Sequence, residues 1–410
     1  MEKHKAYLTS EKTFVVILSA LLISLPLPYA FSTTFLIVFV VAALASTLYH
    51  QITFSKKQLI PIFFYGLLVL SLSWSVNFDD SLRGLERQLP FLLLPIAFIT
   101  MPVLSKKGFQ TILHSFAVFL SLLALFFIAN AFVQYLSTGN KDVFFYHALV
   151  SPLNLNAIYA SVMASLSFLY VLFYSKRKFF NYLVAFVLFL FLILLASKNI
   201  IAVTFLAVII GFFFTKKINR KRLLLIAFVG FGIAAVLFYS PVKERVEEEL
   251  TSNVKEVLTC DKFNRVYPWT GTTIRLFQAR VFYELFEENN KFLSGFGINA
   301  SQEKIVEKQN TYNLYWGYNN YNFHNQYIQA FAELGFFGFI GILALLIVIF
   351  GKYISSKELI ALFFVLIMGS VFLTESYVWR QRGMLHFLVL YGLLFRVFSV
   401  KLNNSHKRFI

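Results

Sequence analysis

Runs of almost uncharged residues, each long enough to cross the hydrocarbon of a bilayer, recur along this chain from end to end. A helical span needs roughly 17–25 such residues. The runs fall at 12–30, 33–49, 58–74, 88–103, 109–137, 153–174, 179–197, 199–215, 223–240, 326–350, 358–374 and 384–399. A soluble chain carries about 25% charged residues; here 14% are charged and 58% hydrophobic. Helices satisfy their own backbone in lipid and open strands do not. The expected fold is therefore an all-α polytopic membrane bundle of about twelve transmembrane helices. The first run reads as a span and not a cleaved leader, because no small-residue cleavage site follows it and a second span begins at once.

Charge gives an independent check, since short cytoplasmic loops collect Lys and Arg. With the N-terminus inside, the inner segments hold 21 bases against the acids Glu2, Glu11 and Glu358, whereas the outer segments hold 16 of each sign. Both termini are thus expected on the cytoplasmic side. The pI near 9.7 is a topology signal, spread over short turns, and not a nucleic-acid patch.

Most connections are short, which makes consecutive helices antiparallel neighbours. Three outer segments are longer: 75–87, 138–152 and 240–325. They suggest an N-terminal membrane bundle of about nine spans over 1–239, a loop domain over 240–325, and about three further spans over 326–410. Loops as long as the third are usually functional or disordered, and its aromatic and amphipathic stretches argue against disorder. Pro241–Lys255 reads as a charged surface helix. Ile274–Asn289 reads as an amphipathic one, with Ile274, Phe277, Val281 and Leu285 at helical spacing, followed by the turn Ser294-Gly295-Phe296-Gly297. No internal repeat is evident, which argues against a transporter or flippase. Cys260 is the single cysteine, so an intramolecular disulfide is impossible.

Residues able to carry chemistry concentrate near the end of the long loop. Tyr312, Tyr315, Trp316, Tyr318, Tyr321 and Phe323 alternate with Asn and Gly before a span. Such rings suit the headgroup zone and equally a saccharide, whose hydroxyls pair with Asn amides. His324 and Asn325 stand at the outer end of the run 326–350, where a helix N-terminus with unpaired N–H groups favours anions. A neutral His324 there could take a proton from an attacking hydroxyl. Glu333, nine residues on, falls on the opposite face of a regular helix and about 13.5 Å deeper, so it reads as a structural hydrogen-bonding group facing a neighbouring helix. Gly335, Gly338 and Gly341 would allow that neighbour's close approach. Outward cations are Lys198, Arg275, Arg280, and the pair Arg83 and Arg87 at helical spacing; a group of cations suits a diphosphate. Asp79-Asp80 reads as a helix cap and not as a metal motif.

His324-Asn325 followed by Glu333-Leu334-Gly335-Phe336-Phe337-Gly338 resembles the O-antigen ligase and polymerase family. Arg275 opening an amphipathic helix before Gly295-Phe296-Gly297 matches the same family, as does Glu375 in the last outer loop. The family's Ser-Arg motif stands here as Ser197-Lys198, which keeps the charge and loses the guanidinium fork. The likeness extends over about residues 190–390. It implies metal- and cofactor-independent glycosyl transfer on the periplasmic face of a bacterial inner membrane, with inversion. The implied donor is a glycan on undecaprenyl diphosphate and the implied acceptor a sugar hydroxyl of lipid A–core. A polymerase extending the repeat on its carrier, and transfer of the glycan to protein, use the same donor chemistry. In this reading His324 and Arg275 are catalytic. Lys198, Arg280, Arg83, Arg87, Asn325, Tyr321, Trp316 and Glu375 bind substrate, and Glu333, Gly335 and Gly338 are structural.

Overall fold

The computed structural model describes residues 10–176, 178–215, 247–249 and 251–397. Among them every regular element is helical. In chain order the main helices are α1 (Glu11–Ser24), α2 (Tyr29–Ser46), α3 (Ile60–Leu70), α4 (Phe78–Arg87), α5 (Pro90–Thr100), α6 (Lys106–Thr138), α7 (Ala157–Tyr174), α8 (Phe179–Leu194) and α9 (Lys198–Phe214). They continue as α10 (Val254–Thr259), α11 (Gly271–Asn289), α12 (Ser301–Thr311), α13 (Gln326–Ser356), α14 (Leu359–Val371) and α15 (Gln381–Val397).

The chain is a multi-pass membrane protein, but the span count differs from the sequence reading. Five helical stretches among the described residues are long and apolar enough to cross a bilayer: Tyr29–Ser46, Lys56–Trp74, Lys106–Thr138, Ala157–Tyr174 and Gln326–Ser356. Three more, α8, α9 and α14, are apolar but shorter. The shortening has local causes. The run 12–30 yields only 14 helical residues because Pro26 and Pro28 end α1. The run 88–103 yields 11, between Pro90 at the helix start and Pro102 just past its end. The run 223–240 lies outside the described residues.

Two apolar cores result. The larger joins α1–α3, α5–α9 and α13–α15. The smaller belongs to the outer loop, where Ile274, Phe277, Val281 and Leu285 of α11 meet Val257, Phe263, Ile305, Tyr312 and Phe323. The charged helix expected to reach Lys255 stops short: Asn253 caps a separate helix, α10, through its side chain. Residues 241–246 of that expected helix are outside the described ones.

The two cores are keyed together at a break in α13. Gly335 has φ +65° and ψ −156°, a region only glycine occupies readily. The break exposes the carbonyls of Ala332 and Glu333, which accept from Phe296 N (2.8 Å) and Gly297 N (2.9 Å) of the loop turn. Phe336 N donates in return to Phe292 O at 2.9 Å. A Cβ on Gly295 would lie 2.5 Å from Gly335 N, and one on Gly335 would lie 2.2 Å from Leu293 O. The two glycine motifs are therefore two halves of one joint. The turn also rests on the α3–α4 connection, where Trp74 Nε1 donates to Ser294 O (2.7 Å) and Ser81 Oγ to Ile298 O (2.6 Å).

That joint corrects the reading of Glu333 and the glycines as contacts between spans. The Glu333 carboxylate, 1% exposed, accepts from Asn299 N, Ser301 Oγ, Gln329 Nε2 and Trp379 Nε1. It ties the outer loop to the Tyr377–Trp379 segment, so its partners are the loop turn, its own helix and a short connection, and not a neighbouring span. Gly338 faces the Ala330 carbonyl of its own helix, and only Gly341 packs on another span, at Phe64.

Candidate functional site

Ala196, at φ +48°, makes the reversal between α8 and α9 so tight that Lys198, two residues on, already opens α9. Its Nζ pairs with Glu249 Oε1 at 3.2 Å. Thr270 and Thr273 form a reciprocal cap at the start of α11, which fixes Arg275 one turn in. Arg275 Nε donates to Thr374 O (2.8 Å) and Nη1 to Gly271 O (2.6 Å). Lys198 and Arg275 share the wall of a cavity of about 300 Å³ with Tyr146, Glu248, Glu249 and Thr374. Asn199 secures that wall from below, donating to Thr374 Oγ1 at 3.0 Å and to Ser370 O at 2.9 Å.

The next residue, Glu375, is buried and turns the other way. Its Oε2 lies 3.5 Å from His324 Nδ1. A carboxylate there favours the tautomer with hydrogen on Nδ1 and a lone pair on Nε2. His324 Nε2 is buried and has no hydrogen-bond partner among the described residues. The His324 backbone sits at φ +46°, an uncommon conformation for a residue with a side chain. It is held there by Asn322 Oδ1, which accepts from His324 N at 2.9 Å, and by the edge of Tyr321, 5.0 Å away. The strand of chain 374–375 thus links Arg275 on one side to His324 on the other.

Asn325 is the N-cap of α13: its Oδ1 accepts from Tyr327 N and Ile328 N, each at 3.0 Å, and its Nδ2 donates to Leu373 O. Gln326 N is also taken, by Phe372 O at 2.7 Å. The helix end expected to present free N–H groups to an anion is therefore already satisfied. The pattern of Asn before an apolar helix was a legible cap signal.

Residues 183–343 match the model of the O-antigen ligase family. The chain carries an O-antigen ligase family domain. No curated protein matches the chain. The matched segment runs from within α8 through the outer loop to Leu343 of α13. It therefore contains Lys198, Arg275, His324 and the Gly335 joint; Glu375, Arg83 and Arg87 lie outside the matched segment.

Other sequence-predicted residues of the O-antigen ligase family domain and its flanks are placed elsewhere. Arg280 is turned inward: it pairs with Glu284 (2.8 Å), donates to the Val257 and Cys260 carbonyls, and stacks over Tyr312. Its cluster pins α10 to α11 and does not line the Lys198 cavity. Burial and the Glu284 carboxylate push the Tyr312 hydroxyl up to about 12. Trp316 is 70% exposed, and Tyr315 and Tyr321 ring the same short helical turn. Arg83 pairs with Asp80 within α4, a helix capped by Asn77 and not by the aspartates. Arg87 instead lines a second cavity, of about 370 Å³, on the Asn322 side of His324. Sequence reading had not marked its other members Gln88, Asn299 and Arg380, which come together only through the fold.

Proposed function

We propose that this protein transfers a glycan from undecaprenyl diphosphate to a sugar hydroxyl, with lipid A–core as the acceptor, on the periplasmic face of the bacterial inner membrane. The observation that carries the reading is the Thr374-Glu375 link, which holds Arg275 and Lys198 on one side and His324 on the other. Cations suit a leaving diphosphate, and a neutral imidazole suits an acceptor hydroxyl.

In this reaction the acceptor oxygen attacks the anomeric carbon as the bond from that carbon to the diphosphate oxygen breaks. The bonding pair leaves with the diphosphate, beside Arg275 and Lys198. The acceptor proton passes to His324 Nε2, while Glu375 steadies the imidazolium through Nδ1. A single displacement inverts the anomeric centre. Lys198 pairs with Glu249, so the diphosphate would exchange places with that carboxylate. The reading needs no metal ion. It takes the layout of about twelve spans with both termini cytoplasmic, and the loop 240–325 as a periplasmic domain between bundles 1–239 and 326–410. The charge asymmetry of the connections supports it.

The test is transfer by the purified protein in liposomes, with lipid-linked glycan and lipid A–core. His324→Ala and Arg275→Ala should each abolish transfer, and normal transfer by both would overturn the site. Deleting the gene distinguishes acceptors. Bare lipid A–core with accumulating carrier-linked polymer supports the ligase, whereas core bearing one repeat identifies a polymerase.

A further inference from the structure

The second cavity is built differently from the first. Its acids are already engaged: Asp80 holds Arg83, and the Glu333 carboxylate receives four donors. Its two cations are not. Neither the Arg87 nor the Arg380 guanidinium makes a hydrogen bond or ion pair with a described residue. They face the cavity from separate elements, the last turn of α4 and the residue before α15.

Gln88 lines the same cavity, is 2% exposed, and its Oε1 has no hydrogen-bond partner among the described residues. A buried amide oxygen without a partner is costly, and here it lines a cavity of about 370 Å³, within the size range of ligand pockets. Asn322, Gln302 and Trp379 also line it, with Gln302 Nε2 donating to Asn319 O and Tyr321 O and so leaving its Oε1 to accept. Amides that both donate and accept match hydroxyl groups. Unpaired guanidiniums match a phosphate or carboxylate. Asn322 also accepts from His324 N, so a residue that lines this cavity fixes the His324 backbone.

We propose that this cavity is a saccharide subsite selective for a sugar bearing a negative charge. Resting on the function proposed above, its occupant is the acceptor, with Arg87 and Arg380 gripping the charged substituent and Gln88 Oε1 accepting from a hydroxyl. The acceptor would then be an acidic or phosphorylated sugar.

Saturation-transfer NMR on the full chain in nanodiscs tests this without any donor, using glucose 6-phosphate, glucuronate, glucose and inorganic phosphate as probes. Both charged sugars should bind at least about tenfold more tightly than glucose or phosphate, the gain expected of a charged hydrogen bond. Arg87→Gln with Arg380→Gln should reduce them to the level of glucose. Gln88→Met should weaken all three sugars and leave phosphate unchanged. Lys304→Gln, an outer charge away from the cavity, should alter nothing. The proposal is overturned by equal binding of glucose, by equal binding of phosphate, by no binding at all, or by a double variant that is properly folded and binds as before. Selectivity for glucose 6-phosphate over glucuronate, or the reverse, names the charged group. Binding is read apart from transfer, so His324→Ala losing transfer while retaining these sugars separates the two readings.

Discussion

The joint at Gly335 makes a quantitative claim on a single methyl group. In Gly335→Ala the new Cβ would stand 2.2 Å from Leu293 O and 2.6 Å from Ser294 N, both backbone atoms that cannot swing aside. If the backbone holds, alanine is left in a conformation costing about 1–3 kcal/mol. If the turn retreats, it gives up Phe296 N to Ala332 O, Gly297 N to Glu333 O and Phe336 N to Phe292 O. Three such bonds, each worth about 0.5–1.5 kcal/mol, come to a similar total of roughly 3 kcal/mol. At about 1.4 kcal/mol per factor of ten, the undocked turn becomes roughly a hundredfold more populated. Hydrogen exchange by mass spectrometry reads that population directly, over the peptide 291–300. Gly351→Ala is the matched control: it lies in the same helix with nothing within 4 Å of the added carbon, and should be neutral or stabilising by up to about 1 kcal/mol. Unchanged exchange in Gly335→Ala, or an equal effect in Gly351→Ala, would refute the idea that the glycine motifs form a keyed joint.

Arg275→Lys keeps the charge but cannot hold both Gly271 O and Thr374 O; transfer should fall by about ten- to hundredfold in kcat, as for a lost electrostatic donor, while the melting temperature stays near wild type. Glu375→Gln leaves an amide beside His324 Nδ1 and removes the charge that steadies the imidazolium. Its transfer rate should drop by at least about tenfold, and a wild-type rate would remove Glu375 from the mechanism. Tyr312 titrates near 12 in the folded loop domain against a usual 10.0. The folded state holds this proton more tightly, so its contribution to stability is intact below about 10 and is lost as pH climbs toward 12. Tyrosinate absorbance followed alongside unfolding should show that loss in the wild type and not in Tyr312→Phe.

Much of the architecture was legible because it rests on patterns local to the chain. Apolar runs gave helices, and the stripe Ile274, Phe277, Val281 and Leu285 is the buried face of α11. Proline positions account for the short α1 and α5, a signal present in the sequence at Pro26, Pro28, Pro90 and Pro102 but outweighed by hydropathy. Gly335 misled because regular helix was extended through a residue that breaks it, and Glu333 because its partners Asn299, Ser301 and Trp379 come from distant segments. Arg280 could not be told from Arg275, five residues away, since only the packing of Cys260 and Tyr312 decides which guanidinium turns inward. The second cavity was hidden for a different reason: Gln88, Asn322 and Arg380 lie far apart in sequence and meet only where three outer connections converge.

The main-chain character of three bonds at the α13 break has a consequence for how the chain can diversify under the function proposed above. Those bonds are set by backbone conformation and by Gly295 and Gly335, while Glu333, Trp74 and Ser81 add side-chain ties. Trp316, 70% exposed and no part of that joint, can be exchanged for other residues without loosening it. Under the proposed function, preference for a sugar and attachment of the loop are then separable, and exchanging exposed residues of the Trp316–Asn320 turn is a practical route to altered acceptors.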